Sequence, residues 1–364
     1  MKNEGHILPL NPQTVHSIAV IGPNADQVEF GDYSASKSND DGTTVRTAME
    51  AAGSAFSIRY AKGCDLVKPD KSGFDEAISA VRQSDVAIVV IGDTSMVLGG
   101  RGNSPLDSLA TVGEGFDRSE LGPPGIQGDL VRAVIETGKP TIVVMVNGRP
   151  YSVPWIKAHA NAIMLAFYPG QQGGEAIADI LFGKTNPSGH LPVSVAQDAG
   201  HIPTVYDYKP SSRGYYHEPG SPDRPGRDYV FSSPDALWPF GFGLSYTTFE
   251  VSHLQILTPI VKATAVVRVS VDVRNSGSSP GKEVVQIYSH QETSSTTTPV
   301  RRLRRFAKIL LQPSETRTLK FEIPASEFAI WNREMQQVVE HGAYTLFAGT
   351  DAEDSRLHAS FTIR

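Results

Sequence analysis

The apolar pattern of this 364-residue chain changes period part-way along, and few folds accommodate that change. In the first half, short continuous apolar runs recur: SIAVIG (17–22), DVAIVVIGD (85–93), PTIVVMVNGRP (140–150) and NAIMLAFYPG (161–170). Such runs suit strands covered on both faces. Between them lie helical spacings. Residues 73–83 put Phe74, Ile78 and Val81 on one side, 126–138 do the same with Leu130, Val131, Val134 and Ile135, and 173–183 end at Gly183. Strands alternating with helices predict parallel β-α-β units over residues 17–195, an α/β layer domain. From about residue 251 the period is two: TAVVRVSVDVRN, EVVQIYSH, TRTLKFEIP and AYTLFAGT alternate apolar and polar. Several short strands separated by turn signals predict a second, all-β sandwich over 251–364. The stretch 196–250, rich in Pro, Gly and aromatics, reads as an extended connector lying over the domain surfaces, its aromatics needing burial.

Charge and composition remove several classes of function. The formal net charge is -6, against the basic field that general nucleic-acid binding requires. The basic run RRLRRFAK (301–308) reads as a solvated strand or loop face. A single cysteine, Cys64, allows no internal disulfide and no thiolate metal site, and reads as a small packed residue. No apolar run approaches the roughly 18 residues of a membrane span, and the start shows no signal-peptide pattern, so a cytoplasmic location is expected if Met1 is the native start.

Sequence motifs remove more. There is no G-x-S-x-G, phosphate loop or H-E-x-x-H, and no dinucleotide fingerprint follows a strand. DVRNSGSSPGKE (272–283) has Asp272, Gly277 and Glu283 at calcium-loop spacing, but Arg274 stands where an oxygen ligand belongs and the flanks read as strands. A hairpin turn is expected there. His159, His201, His217 and His341 show no ligand spacing and read as structural or surface residues.

One segment stands out. Residues 92–125 follow the DVAIVVIGD strand, and ligands gather at the carboxyl edge of such sheets. A structureless segment of that length inside a domain needs a reason. Within it, Glu114 lies between Gly113 and Gly115, which let the backbone approach a ligand closely. Asp117 and Arg118 can hold each other, leaving the Glu114 carboxyl for other work. A surface glutamate and a catalytic acid both remain open from chemistry alone.

Taken together, KNEGHILPL, IAVIGPNAD, GEGFDRSELGPPGIQGDLV, NGRP, YPGQQGGEAIADILFGKTNPSGHLPVS and PFGFGLSYTTFE resemble the carboxyl-terminal half of glycoside hydrolase family 3, the β-glucosidases and β-xylosidases. The tail from VRVSVDVRN to TLKFEIP resembles that family's fibronectin type III-like domain. The resemblance implies an (α/β)6 sandwich followed by a fibronectin-like β-sandwich. It implies that Glu114 is the general acid/base, with Glu120 as the fallback, and that Gly113, Gly115, Asp117 and Arg118 support its loop. It implies a β-linked oligosaccharide or glycoside as substrate and no metal or organic cofactor.

The chain departs from the family pattern at its start. Family members carry a (β/α)8 barrel, which bears the aspartate nucleophile, before the KNEG segment; here residues 1–16 are the linker that would follow it. Retaining hydrolysis needs two carboxylates about 5–5.5 Å apart, and the acid must stay protonated until used. The isolated chain is therefore expected to be inactive or nearly so, to require a barrel domain or subunit, and to self-associate through the bared docking face. An extra proline at 123 and a long stretch 217–238 are smaller departures. A non-catalytic carbohydrate-binding or scaffolding protein, or a complementing subunit of a split glycosidase, are the alternatives.

Overall fold

Residues 2–31, 33–36, 38–52, 56–95, 110–211, 216 and 218–364 are described in a computed structural model of the chain. Two compact units result: Met1–Thr185 with Asp198–Gly200, and Asn186–Gln197 with His201–Arg364. Residues 186–195, assigned from sequence to the α/β layer, thus group with the second unit, where Val195 bridges Trp238.

The first unit runs β1 (Lys2–Asn3), β2 (Ser17–Ile21), α1 (Val45–Ala52), β3 (Ser57–Ala61), α2 (Phe74–Arg82), β4 (Val86–Gly92), α3 (Gln127–Ile135), β5 (Thr141–Val146), α4 (Pro154–His159), β6 (Ala162–Leu165) and α5 (Gly173–Leu181). The strands form one six-stranded sheet, in the order β1-β6-β5-β4-β2-β3. All neighbouring pairs are parallel except β1 on β6. Every residue of β4 and β5 is buried, as a central strand covered on both faces must be. The helices form two groups, α1 packing on α5 while α2 packs on α3 and α3 on α4. Gly138 and Gly183, at φ 78 and 73, end their helices in the left-handed conformation that a side chain disfavours. Residues 2 and 3, expected in the linker, instead pair with β6 and close the sheet edge.

The second unit runs β7 (Phe249–Ile256), β8 (Ile260–Val261), β9 (Val266–Asn275), β10 (Gly281–Gln291), β11 (Arg302–Leu311), β12 (Thr316–Pro324), β13 (Ile330–Trp331), β14 (Gln337–Val338), β15 (Gly342–Gly349) and β16 (Leu357–Ile363). A five-stranded sheet, β11-β10-β15-β16-β8, and a three-stranded sheet, β12-β9-β7, share one core. Alternate residues of β9 and β10 supply it: Val267, Val269, Val271 and Val273 from one sheet, Val285 and Ile287 from the other. The expected hairpin at 276–280 is therefore corrected: β9 and β10 lie in different sheets, and the turn crosses between them.

Two further expectations change. The basic run lies on strand β11 and is only partly a solvated face. Arg302 and Lys308 are exposed, but Arg304 donates to Ser289 Oγ at 2.8 Å and lies 4.7 Å from the Phe328 ring centre, while Arg305 pairs with Glu327 at 2.6 Å. Burial brings the Arg304 pKa down to about 10. In the connector Trp238 is buried, whereas Tyr208, Tyr216 and Phe231 stay exposed. No helix among the described residues is long and apolar enough to cross a membrane.

Candidate active-site loop

The candidate site grows from the end of β4. Gly92 closes that strand because its backbone lies against β5: a Cβ on it would stand 1.8 Å from the Val146 carbonyl oxygen. Asp93 follows, fully buried, its N–H donating to Val146 O at 3.0 Å. Its own carbonyl accepts from Asn24 Nδ2 at 3.0 Å. The chain then leaves the sheet. Residues 96–109 of the expected long loop, and His217 elsewhere, lie outside the described residues.

The loop returns to Asp93. Thr111 Oγ1 donates to Asp93 Oδ1 at 2.9 Å, and the Thr111 N–H donates to Thr94 O at 3.0 Å. Val112 is buried, its methyls facing Gly148. A tight turn follows: the Phe116 N–H donates to Gly113 O at 3.2 Å, with Glu114 and Gly115 at the centre. Gly115 has φ 83 and Gly113 φ 132, values that side-chain-bearing residues avoid. The two glycines thus let the chain turn sharply, and Glu114 at the turn is exposed.

Beyond the turn, Arg118 comes back to the same acid, with Nη1 3.3 Å from Asp93 Oδ1. Its Nη2 donates to Gly122 O at 2.6 Å, and its guanidinium centre lies 5.9 Å from the Tyr151 ring centre. The expected Asp117–Arg118 pair is therefore replaced by Asp93–Arg118. Asp117 is exposed and keeps its water, whereas the buried Asp93 carboxylate demands a counter-charge. Glu120 is exposed two residues further on. The segment after β5 braces the loop: Arg149 Nη2 donates to Phe116 O, and the Ser152 N–H donates to Leu121 O at 2.9 Å.

Burial pushes the Asp93 carboxyl above the usual range, against the opposing pull of Tyr151, Thr111, Arg118 and Arg149. Burial, with the Asp93 charge next, holds the Tyr151 hydroxyl well above its ordinary value. That hydroxyl and Asp93 Oδ2 nevertheless have no hydrogen-bond partner among the described residues, so the two are near without closing a bond. The arrangement is an exposed carboxyl on a glycine-hinged turn, with both flanks tied to a buried acid. Such a carboxyl can exchange a proton with a group brought to it from outside. Among the described residues no cluster of three or more His, Cys, Asp or Glu could hold a metal ion.

Comparison with known proteins places the chain. Residues 1–246 match the glycosyl hydrolase family 3 C-terminal domain. The chain belongs to glycosyl hydrolase family 3. Residues 283–352 match the fibronectin type III-like domain found after it here. A β-xylosidase of Formosa agariphila is 35% identical over 377 residues, covering 100% of this chain and 48% of its own length. A periplasmic β-glucosidase of Salmonella typhimurium is 34% identical, covering 97% of this chain and 47% of its own length. Among solved structures, a β-glucosidase from Erythrobacter marinus superposes with a TM-score of 0.85 at 32% identity, over 100% of this chain and 48% of that one. The chain spans about half the length of the family 3 relatives it matches.

Sequence reasoning found the turn that carries Glu114 but missed Asp93, Thr111 and Tyr151. A signal for Asp93 was available: an acid placed immediately after an all-apolar central strand sits at the carboxyl edge of the sheet.

Proposed function

We propose that this chain is the acid/base-carrying portion of a family 3 β-glycosidase that removes terminal, non-reducing β-linked glucosyl or xylosyl residues with retention. Glu114 protonates the glycosidic oxygen as the aglycone leaves. It then takes a proton from the water that releases the sugar. The nucleophilic carboxylate that forms the covalent glycosyl intermediate comes from a barrel domain outside this chain, and the two carboxyls work about 5–5.5 Å apart. The observation that carries this reading is the exposed Gly113–Glu114–Gly115 turn at the carboxyl edge of a family 3 sheet. The names of the relatives, β-xylosidase and β-glucosidase, support the substrate class.

The test supplies the chain with a family 3 barrel, fused or in trans, and measures turnover of aryl β-glucosides and β-xylosides. Glu114→Gln is expected to lower kcat by about 10²–10⁴-fold on substrates with poor leaving groups, the usual share of general acid/base catalysis, while Glu120→Gln stays near wild type. The reverse ranking moves the role to Glu120. The purified chain alone is expected to be inactive, and turnover by it that Glu114→Gln abolishes would contradict the division of labour.

A further inference from the structure

We propose that Asp93 is a positioning residue for Glu114: one buried carboxylate oxygen holds both flanks of the arc that carries the acid. This rests on the reading of Glu114 given above. Asp93 Oδ1 accepts from Thr111 Oγ1 at 2.9 Å and stands 3.3 Å from Arg118 Nη1. Thr111 lies before the Gly113–Glu114–Gly115 turn and Arg118 after it, so Asp93 Oδ1 joins the two flanks to each other, beside the Thr111–Thr94 backbone bond and the Arg149 contact with Phe116 O. Asp93 is fully buried, so it cannot itself reach a substrate.

The anchor is immobile for reasons the structure gives. Its N–H is tied to Val146 O, its carbonyl to Asn24, and the preceding Gly92 is gripped on N–H and carbonyl by the Gln127 amide. The arc that it holds lies at the surface. Glu114 and Gly115 are exposed, and a Cβ on Gly115 would meet nothing within 4 Å. The glycines allow the sharp turn, and Asp93 fixes its two flanks. Precise placement of a reacting group supplies a large share of catalysis, and a displacement of about 1 Å can cost about 10²-fold.

The test reads hydrogen exchange, peptide by peptide, in the purified chain. The variants are Asp93→Asn, Thr111→Val, Arg118→Met and the Asp93→Asn/Arg118→Met double. Asp93→Asn is expected to raise exchange over 110–122 about tenfold or more while β5 and the second unit keep their protection. The double variant should add little, because both changes open the same tie. If Asp93→Asn fails to fold, Thr111→Val and Arg118→Met decide, each opening the same peptide. Unchanged exchange, additive effects, or a uniform loss across the first unit overturns the proposal; the last would make Asp93 a group that merely stabilises the fold.

A second readout uses the barrel-supplied protein and the dependence of kcat/KM on leaving-group pKa. Glu114→Gln should steepen it, and Asp93→Asn should steepen it in the same sense. An opened arc with an unmoved dependence overturns the positioning role. A Glu114→Gln variant with unaltered dependence overturns the acid/base reading instead and leaves the exchange result standing.

Discussion

Gln127 grips both backbone groups of Gly92. The Gly92 N–H donates to Gln127 Oε1 at 2.8 Å, and Gln127 Nε2 donates back to the Gly92 carbonyl at 2.9 Å. The same Nε2 also reaches Leu66 O at 2.9 Å. β2 ends at Ile21, opposite Val89, so β4 runs past its neighbour and its last residue needs a surrogate ladder partner. A side chain at the first position of α3 supplies it. This ties the strand that leads into Asp93 to the helix that follows the candidate loop.

Gln127→Ala should therefore leave a buried N–H and a buried carbonyl unpaired, which costs about 2–4 kcal/mol. Denaturant unfolding with an unchanged m-value checks this. Gln127→Glu is the informative control: it keeps one acceptor, loses the donor and buries a charge, so it should be at least as harmful. A loss below about 0.5 kcal/mol for both would show that water replaces the amide.

Two glycines in this region should respond oppositely to a methyl group. Gly92→Ala would place Cβ 1.8 Å from Val146 O, a backbone atom that cannot yield without parting β4 from β5. Failure to accumulate as folded protein is expected. Gly115→Ala meets no atom within 4 Å, and only its φ of 83 resists the substitution. Its cost should be about 1 kcal/mol, local to the loop. In barrel-supplied protein it should lower kcat more than it lowers the midpoint of unfolding would suggest, because the turn beside the acid relaxes. Expression level, thermal midpoint and kcat, measured side by side, separate the two.

Much of this organisation was legible in the residues because it is written in periodicity. The buried runs at 85–93 and 140–150 became β4 and β5, and the alternation in VVRVSVDVRN became β9 with its valines inward. What escaped were contacts between positions distant in sequence. Asp93 and Arg118 are separated by a loop whose closure no local pattern records, so Arg118 was matched with its neighbour Asp117. The turn 276–280 has hairpin chemistry, but its flanking strands find partners in different sheets. Arg304 looks solvated by composition and is drawn in by an aromatic ring and Ser289. Short edge pieces such as Lys2–Asn3 carry no periodicity, being strands only because β6 offers an open edge.

Cys64 gives a simple chemical check. It is buried, and burial, with the neighbouring Asp65 charge, raises its thiol to about 11. The thiolate, which is the reactive species, is then scarce at neutral pH. A thiol reagent at pH 8 should label less than a tenth of the native protein in the time that labels the denatured chain fully. Rapid native labelling would place Cys64 at a surface or an open cavity.

His190 gives the second unit a pH-dependent contribution near neutrality. Its Nε2 lies 2.9 Å from Glu283 Oε1, while Nδ1 faces the carbonyls of Gly241 and Thr350. All three partners are acceptors, so only the doubly protonated ring can donate on both sides. Burial alone would pull the pKa down, but the Glu283 hydrogen bond and charge, with the two carbonyls, outweigh it and leave the pKa above the ordinary 6.5. Linkage then fixes the sign. A raised folded-state pKa adds stability that is complete below the unfolded value and disappears as pH climbs through the folded value. Thermal stability should thus fall from about pH 6.5 upward, with no corresponding loss on mild acidification from this group. His190→Gln, which cannot titrate, should be less stable than wild type at pH 6 and nearer to it at pH 9. Calorimetric scans of both proteins across that interval would show the two curves converging as pH rises, whereas parallel curves would mean that His190 titrates in the folded protein as it does in the unfolded chain.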